Sequence, residues 1–441
     1  MVRKHFEAVA SDATPETAPD EMRAAVLKRK IRNPTARAMM AQAHYRFKML
    51  LEYKMSYQRP VDNFMGKERF TVNPFAELGL SPNDRLKLQD LANSLILDNL
   101  TKFSAFRTTV DSQQWKLIKD HRNLKMYTER SSSTSSDNIV SGNGLPIILG
   151  IGALEGKLDD LMFGAISTTL EEMRIKASYV DGFSKAAVLD TIVKPSPEEP
   201  FLSLIVKWTE VDIPFASTSI VKNRDYVFIE GTGYVRDADG NLLGYHLIHS
   251  VNFPATHDLP SRIRGNMSAV AFWQQIGPNT LKMWATVVMD PGGNKIRKVI
   301  VPAMANTFMS ATRFAYCGQM KKLAWMLEKR YEESKLHDAP NKRSVCVTCS
   351  VPNSSRNIGD FGKSKGTCKL CFGYVCHACK IVRKISFVGM DLSLSKRKIP
   401  ICTACMTEVT SMSAIEAACA QILTSPLRVY SGILCSISSD D

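Results

Sequence analysis

The chain has 441 residues, of which 44% are hydrophobic, enough for two or three domains and a sizeable core. It has no apolar run of about eighteen residues, which excludes an ordinary transmembrane helix, and the N-terminus lacks the apolar core of a signal peptide. The net charge of +14 points to anionic partners, either a membrane surface or nucleic acid. We therefore expect a cytoplasmic protein, in whose reducing compartment thiol metal sites persist.

The first 74 residues predict a basic N-terminal extension that is partly disordered and partly helical. Residues 1–21 are polar and contain two prolines. Residues 22–60 carry ten Lys/Arg against a single acid, Glu52. Within them, residues 37–53 place apolar side chains near helical spacing. This pattern fits a helix packed on a neighbouring domain, and it equally fits a basic amphipathic helix that binds a membrane or a partner.

The middle of the chain predicts one helix, then a sheet, then a long helix. Ser81 and Pro82 form a helix start, with Ser81 as N-cap and Pro82 at the first helical position. Residues 145–290 contain several alternating apolar and polar stretches separated by turn signals, which indicates a curved antiparallel sheet. Apolar residues at helical spacing predict one long helix at about residues 299–330.

A curved antiparallel sheet closed by one long helix is a helix-grip, and residues 75–333 resemble the START family of lipid-binding domains. The resemblance rests on Lys-Asn-Arg-Asp-Tyr at 222–226, Arg-Ile-Arg-Gly at 262–265 and Asp-Pro-Gly-Gly at 290–293. It departs from the family at 296–298, where Ile-Arg-Lys stands in place of the proline expected after the Gly-Gly turn. The resemblance implies an α+β fold with an interior lipid cavity.

The predicted cavity has eight candidate lipid-binding residues. An acyl chain gains about 0.8 kcal/mol for each methylene buried in such a space. We expect a polar pair at the head group and an apolar lining; the alternative, that the same residues simply fill a core, stays open. The pair is Arg224 and Asp225, and the lining candidates are Trp208, Trp273, Met283, Met304, Phe308 and Tyr316.

The cysteines predict two zinc ions. Eight of the eleven cysteines form four C-x2-C pairs, and each pair can present two thiolates to one ion. Only four residues separate the two middle pairs, so an interleaved arrangement fits best, with pairs one and three on one ion and pairs two and four on the other. A redox or disulfide array is the alternative. The pairs are Cys346/Cys349, Cys368/Cys371, Cys376/Cys379 and Cys402/Cys405.

This spacing resembles the FYVE zinc finger, a small cross-brace module, over residues 345–408. The FYVE family binds phosphatidylinositol 3-phosphate through Arg-Arg/Lys-His-His-Cys-Arg, whereas residues 363–369 read Lys-Ser-Lys-Gly-Thr-Cys-Lys. The paired histidines are missing, so we expect weak binding to acidic membranes with little head-group preference. The residues expected at the membrane are Lys363, Lys365, Lys369, Arg383, Lys384 and the apolar Phe361.

Residues 334–344 are predicted to form a linker, and residues 409–441 a C-terminal tail. No catalytic motif and no catalytic residue is identified. We therefore expect a non-enzymatic lipid-binding adaptor, cytoplasmic and peripheral on endosomal membranes. The alternative is a protein-interaction or ubiquitin-ligase scaffold that uses the zinc finger. Nucleic-acid binding is disfavoured, because the basic segments lack interleaved aromatic residues.

Overall fold

The computed structural model describes residues 73–106, 110–121, 123–130, 145, 147–180, 185–211, 222–290, 292, 305, 309–337, 345–352, 366–389 and 392–424. All of them belong to one compact unit, Gly66–Asp441. In this part of the chain, no helix is both long and apolar enough to cross a bilayer. The predicted N-terminal extension lies outside the described residues, apart from its last two positions. So do five of the predicted site residues, Met304, Phe308, Phe361, Lys363 and Lys365.

A ten-stranded sheet forms the centre of the fold. Its order is β1-β2-β3-β10-β9-β7-β6-β5-β4, with the short β8 paired to β6. All neighbours are antiparallel except β6 and β8, which confirms the large antiparallel sheet predicted from the sequence. The strands are β1 Trp115–His121, β2 Leu124–Glu129, β3 Ile147–Glu155, β4 Lys185–Val193, β5 Ser203–Val211, β6 Asn223–Arg236, β7 Leu242–Ser250, β8 Arg262–Arg264, β9 Asn266–Gly277 and β10 Thr280–Asp290.

Helices lie around this sheet, and two short hairpins belong to the cysteine-rich region. The helices are α1 Pro82–Ala105, α2 Leu158–Ala165, α3 Leu170–Tyr179, α4 Phe314–His337, α5 Thr403–Ser411 and α6 Ala414–Thr424, with a 3₁₀ turn at Ser310–Arg313. The hairpins pair β11 Gly366–Thr367 with β12 Tyr374–Val375, and β13 Ile381–Val388 with β14 Leu394–Ile401. Helix α1 begins as predicted, since the Ser81 side chain accepts a hydrogen bond from the Asp84 amide.

The two faces of the sheet are covered by different helices. Alternate residues of a strand point to opposite faces, so Phe272 and Trp284 pack with α1, whereas their neighbours Trp273 and Met283 pack with α2 and α4. The ring centroid of Trp273 lies 6.3 Å from that of Phe314 at the start of α4. We call these two sides of the sheet the α1 face and the α2–α4 face.

Helices α2 and α4 cross with their backbones in contact. A Cβ placed on Gly318 would lie 1.8 Å from the carbonyl oxygen of Asp160, and one placed on Gly164 would lie 1.9 Å from that of Phe314. Glycine is therefore required at both positions of the crossing. Because α4 is covered by α2 on one side and by the cysteine-rich region on another, residues 314–327 are buried on most sides, whereas residues 328–334 are partly or fully exposed.

Helix α4 begins and ends later than the predicted range of about 299–330, since Ser310–Arg313 is a 3₁₀ turn and the α-helix starts at Phe314. It continues past Arg330 to His337, so the first residues of the predicted linker, 334–344, are helical. No glycine or proline interrupts the chain between Gly318 and Pro340, which explains the extension. The rest of that linker lies outside the described residues.

The cysteine-rich region shares its core with the sheet. Its buried Ile385, Ile399 and Val409 belong to the same hydrophobic cluster as Trp273 and Phe314. Polar contacts accompany this packing, since the Ser386 amide donates to the hydroxyl of Tyr179 at 2.7 Å. The region is therefore continuous with the rest of the fold.

Candidate metal centres and their surroundings

Eight cysteines form two groups of four. Within each group the four sulfur atoms lie within 4.8 Å of one another. The groups join the first pair to the third and the second pair to the fourth, which is the interleaved order described above. Group one is Cys346, Cys349, Cys376 and Cys379, and group two is Cys368, Cys371, Cys402 and Cys405.

The turns that follow the first two C-x2-C pairs contain residues in the left-handed backbone region. Ser350 and Phe372, each directly after a C-x2-C pair, adopt φ of 60° and 57°. Such values are uncommon for residues other than glycine and cost energy that the surroundings must supply. The Ser350 amide donates to the Cys346 carbonyl at 2.8 Å, and the Phe372 amide donates to the Cys368 carbonyl at 2.9 Å.

Backbone amides also point at the sulfur atoms. The Cys376 amide donates to Cys346 Sγ at 3.4 Å, and the Cys405 amide donates to Cys402 Sγ at 3.5 Å. Burial opposes ionisation of Cys346, but hydrogen bonds from neighbouring amides outweigh it and lower its pKa to about 6. Four sulfur donors with amide support suit a tetrahedral metal ion, and each group could hold one.

Group two is attached to the first turn of helix α5. Cys402 is the N-cap of α5, so two of the four sulfur atoms sit on the first turn of that helix. At the other end of α5, Lys157 Nζ donates to the carbonyls of Thr410 and Ser411 at 2.9 and 3.1 Å. A cation at a helix C-terminus stabilises it, because it lies at the negative end of the helix dipole.

The first turn of α2 holds the junction between α5 and α6. Asp159 Oδ2 accepts from the Ala414 amide at 2.8 Å, which caps the start of α6. Lys322 Nζ lies 2.7 Å from Asp160 Oδ1 and donates to the Met412 carbonyl at 2.8 Å. Burial raises the pKa of Asp160 in spite of Lys322. Helix α2 thus contacts both the sheet and the C-terminal end of the cysteine-rich region.

The β13–β14 hairpin and the residues that precede it are strongly basic. Residues 366–389 and 392–402 contain seven Lys/Arg and neither Asp nor Glu. Lys384 stands directly opposite Lys398 in the antiparallel register, and both are exposed. Like charges in such positions repel each other, so this basic segment favours an anionic partner. The seven are Lys369, Lys380, Arg383, Lys384, Lys396, Arg397 and Lys398.

Of the residues predicted to meet a membrane, Lys369, Arg383 and Lys384 lie in this region. The sequence analysis does not single out Lys398, because its position opposite Lys384 depends on the strand register, which sequence alone does not provide. Lys396 makes a contact within the fold, since its Nζ donates to the Ser178 carbonyl of α3 at 2.6 Å.

The predicted lipid-binding residues do not share one space. Trp273 and Met283 are on the α2–α4 face, whereas Trp208 packs with Phe75 on the opposite face. Tyr316 is 42% exposed and makes an edge contact with Tyr179.

Arg224 and Asp225 do not form the expected polar pair, because successive strand residues point to opposite faces. Asp225 Oδ2 accepts from Trp208 Nε1 at 3.0 Å and from Arg264 Nη2 at 2.8 Å. Arg224 instead donates to backbone carbonyls of Lys222 and Gly292. Strand β8, paired in parallel with β6, brings Arg264 beside Asp225. Arg264 lies within one of the START-like motifs, yet the sequence does not reveal this pairing.

Charged side chains fill part of the α2–α4 face. Glu230 forms ion pairs with Lys176 at 3.1 Å and with Lys207, and it lies 2.6 Å from His246 Nε2. Burial opposes ionisation of Glu230, but the lysine charges and His246 hold its pKa well below the usual range. A cavity of about 20 Å³ remains beside these groups, about the size of one water molecule.

The two buried lysines also bind the end of α2. Lys176 Nζ donates to the Ala165 carbonyl and Lys207 Nζ to the Ser167 carbonyl, both at 2.5 Å. They therefore neutralise the carbonyl end of α2 as well as the Glu230 carboxylate. The whole group is a structural network of buried charges.

Comparisons with known proteins give structural likenesses only. No family model matches the chain, and no curated protein sequence matches it. Among solved structures, it is similar to human StAR-related lipid transfer protein 5, with a TM-score of 0.39 and 14% identity over 53% of this chain and 97% of that chain. It is also similar to a fragment of a STAR-related lipid transfer protein from Xanthomonas axonopodis, with a TM-score of 0.33 and 15% identity over 46% and 99% of the two chains.

Proposed function

We propose that this protein is a non-enzymatic adaptor in which a FYVE-related finger holds two zinc ions and binds acidic membranes, and a START-like domain binds a lipid. The observation that carries the proposal is the pair of four-cysteine groups. The adaptor would act in the cytoplasm and associate peripherally with endosomal membranes.

Zinc is the ion that best fits these donors. Sulfur-only sites of four cysteines select zinc or iron–sulfur clusters, and zinc is the usual structural ion for C-x2-C loops. A structural zinc site contributes about 10–16 kcal/mol in peptide fingers. The buried apolar residues of the finger belong to the core that it shares with the sheet, so we expect the loops that carry the cysteines, rather than the whole region, to depend on the metal for their fold.

The basic hairpin supports membrane binding by the finger. Lysines near an anionic surface contribute about 1 kcal/mol each, whichever phosphate is present. The fixed imidazole and guanidinium donors of the FYVE motif are replaced by lysines, which act as point charges. We therefore propose salt-sensitive binding to acidic lipids, with little preference for phosphatidylinositol 3-phosphate.

Liposome co-sedimentation with full-length protein tests this proposal. Vesicles carrying single phosphoinositide isomers should bind the protein within about threefold of one another, and binding should fall steeply with salt. Lys365→Glu combined with Lys369→Glu should abolish binding, whereas Lys116→Glu, a change on an exposed residue of β1, should reduce it only slightly. A tenfold or larger preference for the 3-phosphate would refute the loss of specificity. Binding that is insensitive to salt would refute the electrostatic mechanism.

A further inference from the structure

The two four-cysteine groups differ in their exposure to solvent. In group two, three of the four cysteines are buried, and the fourth, Cys371, is half-buried. In group one, Cys346 is buried, two cysteines are half-buried and Cys349 is exposed. A reagent dissolved in water therefore reaches a sulfur atom of group one more easily than one of group two.

Cys349 lies on a turn whose side chains are open to solvent. Every residue from 347 to 352 is exposed. Backbone hydrogen bonds hold the turn, since the Cys346 amide donates to the Val351 carbonyl and the Val347 amide donates to the Tyr374 carbonyl, both at 2.9 Å. The backbone of the turn is thus fixed, while the Cys349 side chain is accessible without any rearrangement of the fold.

Group two lies within packed side chains. Leu370, between the two cysteines of the second pair, is 2% exposed, and Ile401, directly before Cys402, is 0% exposed. Both belong to the hydrophobic cluster that the sheet shares with the finger. A reagent has to displace close-packed side chains to reach these sulfur atoms, so we expect group two to be protected.

A second sulfur atom of group one lies close to that of Cys349. The Sγ atoms of Cys349 and Cys376 are 3.7 Å apart, although the two residues are 27 positions apart in the sequence. An S–S bond is about 2.0 Å long, so a movement of about 1.7 Å would join them. Cysteines that bind a metal are thiolates, and the thiolate is the form that reacts with oxidants.

We propose that group one is a peroxide-sensitive site, in which Cys349 is oxidised first and is then joined to Cys376. The Cys349 sulfur attacks one oxygen of hydrogen peroxide, the O–O bond breaks, and hydroxide leaves behind a sulfenic acid. The Cys376 thiolate attacks the Cys349 sulfur, the S–O bond breaks, and a second hydroxide leaves. Two thiolates are thereby oxidised to one disulfide, and one peroxide is reduced to two hydroxide ions.

Oxidation of group one would release one zinc ion, because the disulfide takes away two of its four ligands. Group two and the shared core would keep the β13–β14 hairpin and α5 in place. A thiol reductant reverses the disulfide, so the change is reversible when zinc is present. This inference rests on the two zinc ions of the proposed function and deepens it, by naming which group responds to an oxidant.

Hydrogen peroxide added to the full chain in the presence of a chromogenic zinc chelator tests the site. We expect one ion per chain to be released at least about tenfold faster than the second, and no such release without peroxide. Peptide mass spectrometry after this fast phase, with the remaining thiols blocked by N-ethylmaleimide, should find Cys349 joined to Cys376. Dithiothreitol with added zinc should then restore two ions per chain.

Histidine substitutions separate the oxidation of Cys349 from its role as a ligand. Cys349→His keeps a zinc ligand that cannot form a disulfide, and it should slow the fast release at least about tenfold. Cys371→His, the same change in group two, is the matched control and should leave the fast phase unchanged. Equal release from the two groups, earlier release from group two, or a fast-phase product with Cys349 still free would overturn the inference.

The peptide mapping uses the wild type, so its result does not depend on how the variants fold. Zinc content measured before the treatment separates the two proposals. A wild type without two zinc ions would refute the proposed function, whereas two ions released at equal rates would refute the peroxide-sensitive site alone.

Discussion

Replacing Lys322 with methionine should destabilise the protein by about 4 kcal/mol at pH 7, because it leaves the carboxyl group of Asp160 buried without its counter-charge. The two side chains form an ion pair of 2.7 Å between α4 and α2 and are 0% and 1% exposed. Lys322 also holds the Met412 carbonyl at the α5–α6 junction. Loss of this lysine therefore weakens the connection between the sheet and the cysteine-rich region.

Protonation of Asp160 sets the size of the loss. Once Lys322 is gone, the folded protein can keep Asp160 neutral, and the cost is then that of protonating a carboxyl whose unfolded pKa is about 3.9. This cost is about 4 kcal/mol at pH 7 and about 1.5 kcal/mol at pH 5. Burial already raises the pKa of Asp160 in the wild type, and Lys322 opposes that rise. Loss of Lys322 therefore raises this pKa further, so the deficit relative to the wild type grows as pH rises and shrinks as pH falls.

Urea unfolding of the variant and the wild type at both pH values measures this difference. Adding Asp160→Leu to Lys322→Met should recover most of the stability, since an apolar pair can replace a buried ion pair. Lys329→Met, on the same helix but with an exposed partner at 3.8 Å, should cost about 1 kcal/mol or less. A loss below about 1 kcal/mol for Lys322→Met, or an equal loss at pH 5 and pH 7, would refute this reasoning.

Three further changes probe other parts of the molecule. Lys384→Glu with Lys398→Glu should abolish sedimentation with acidic liposomes, because it reverses the charge of the hairpin face. Gly318→Ala should lower the unfolding free energy by about 3 kcal/mol or more, as its Cβ meets a backbone oxygen at 1.8 Å, whereas Gly277→Ala, with its nearest contact at 3.5 Å, should cost far less. Glu230→Gln should cost about 3–5 kcal/mol in urea unfolding, because it leaves buried ammonium groups unpaired.

Local signals in the sequence were sufficient for several elements. Ser81 and Pro82 predict the start of α1 because capping depends only on neighbouring residues. The four C-x2-C pairs predict the grouping of the thiols, since the short separation between Cys371 and Cys376 disfavours a shared ion. The antiparallel sheet follows from alternation and turn residues in the same way.

These local signals did not predict contacts between residues that are far apart in the sequence. The partner of Asp225 is Arg264, 39 residues away, and only the parallel pairing of β8 with β6 brings them together. Helix α4 has charged residues such as Lys321 and Lys322 on buried sides. The spacing of its apolar residues therefore predicts less burial than the structure shows. The sharing of one core by the sheet and the finger has no local signature either.

Zinc analysis of the purified full-length protein by plasma mass spectrometry tests the central proposal most directly. We expect two zinc ions per chain in the wild type. Cys349→Ser, in the first group, and Cys405→Ser, in the second, should each leave one. A wild-type value of one or none, or iron in place of zinc, would contradict the assignment of the two four-cysteine groups as structural zinc sites.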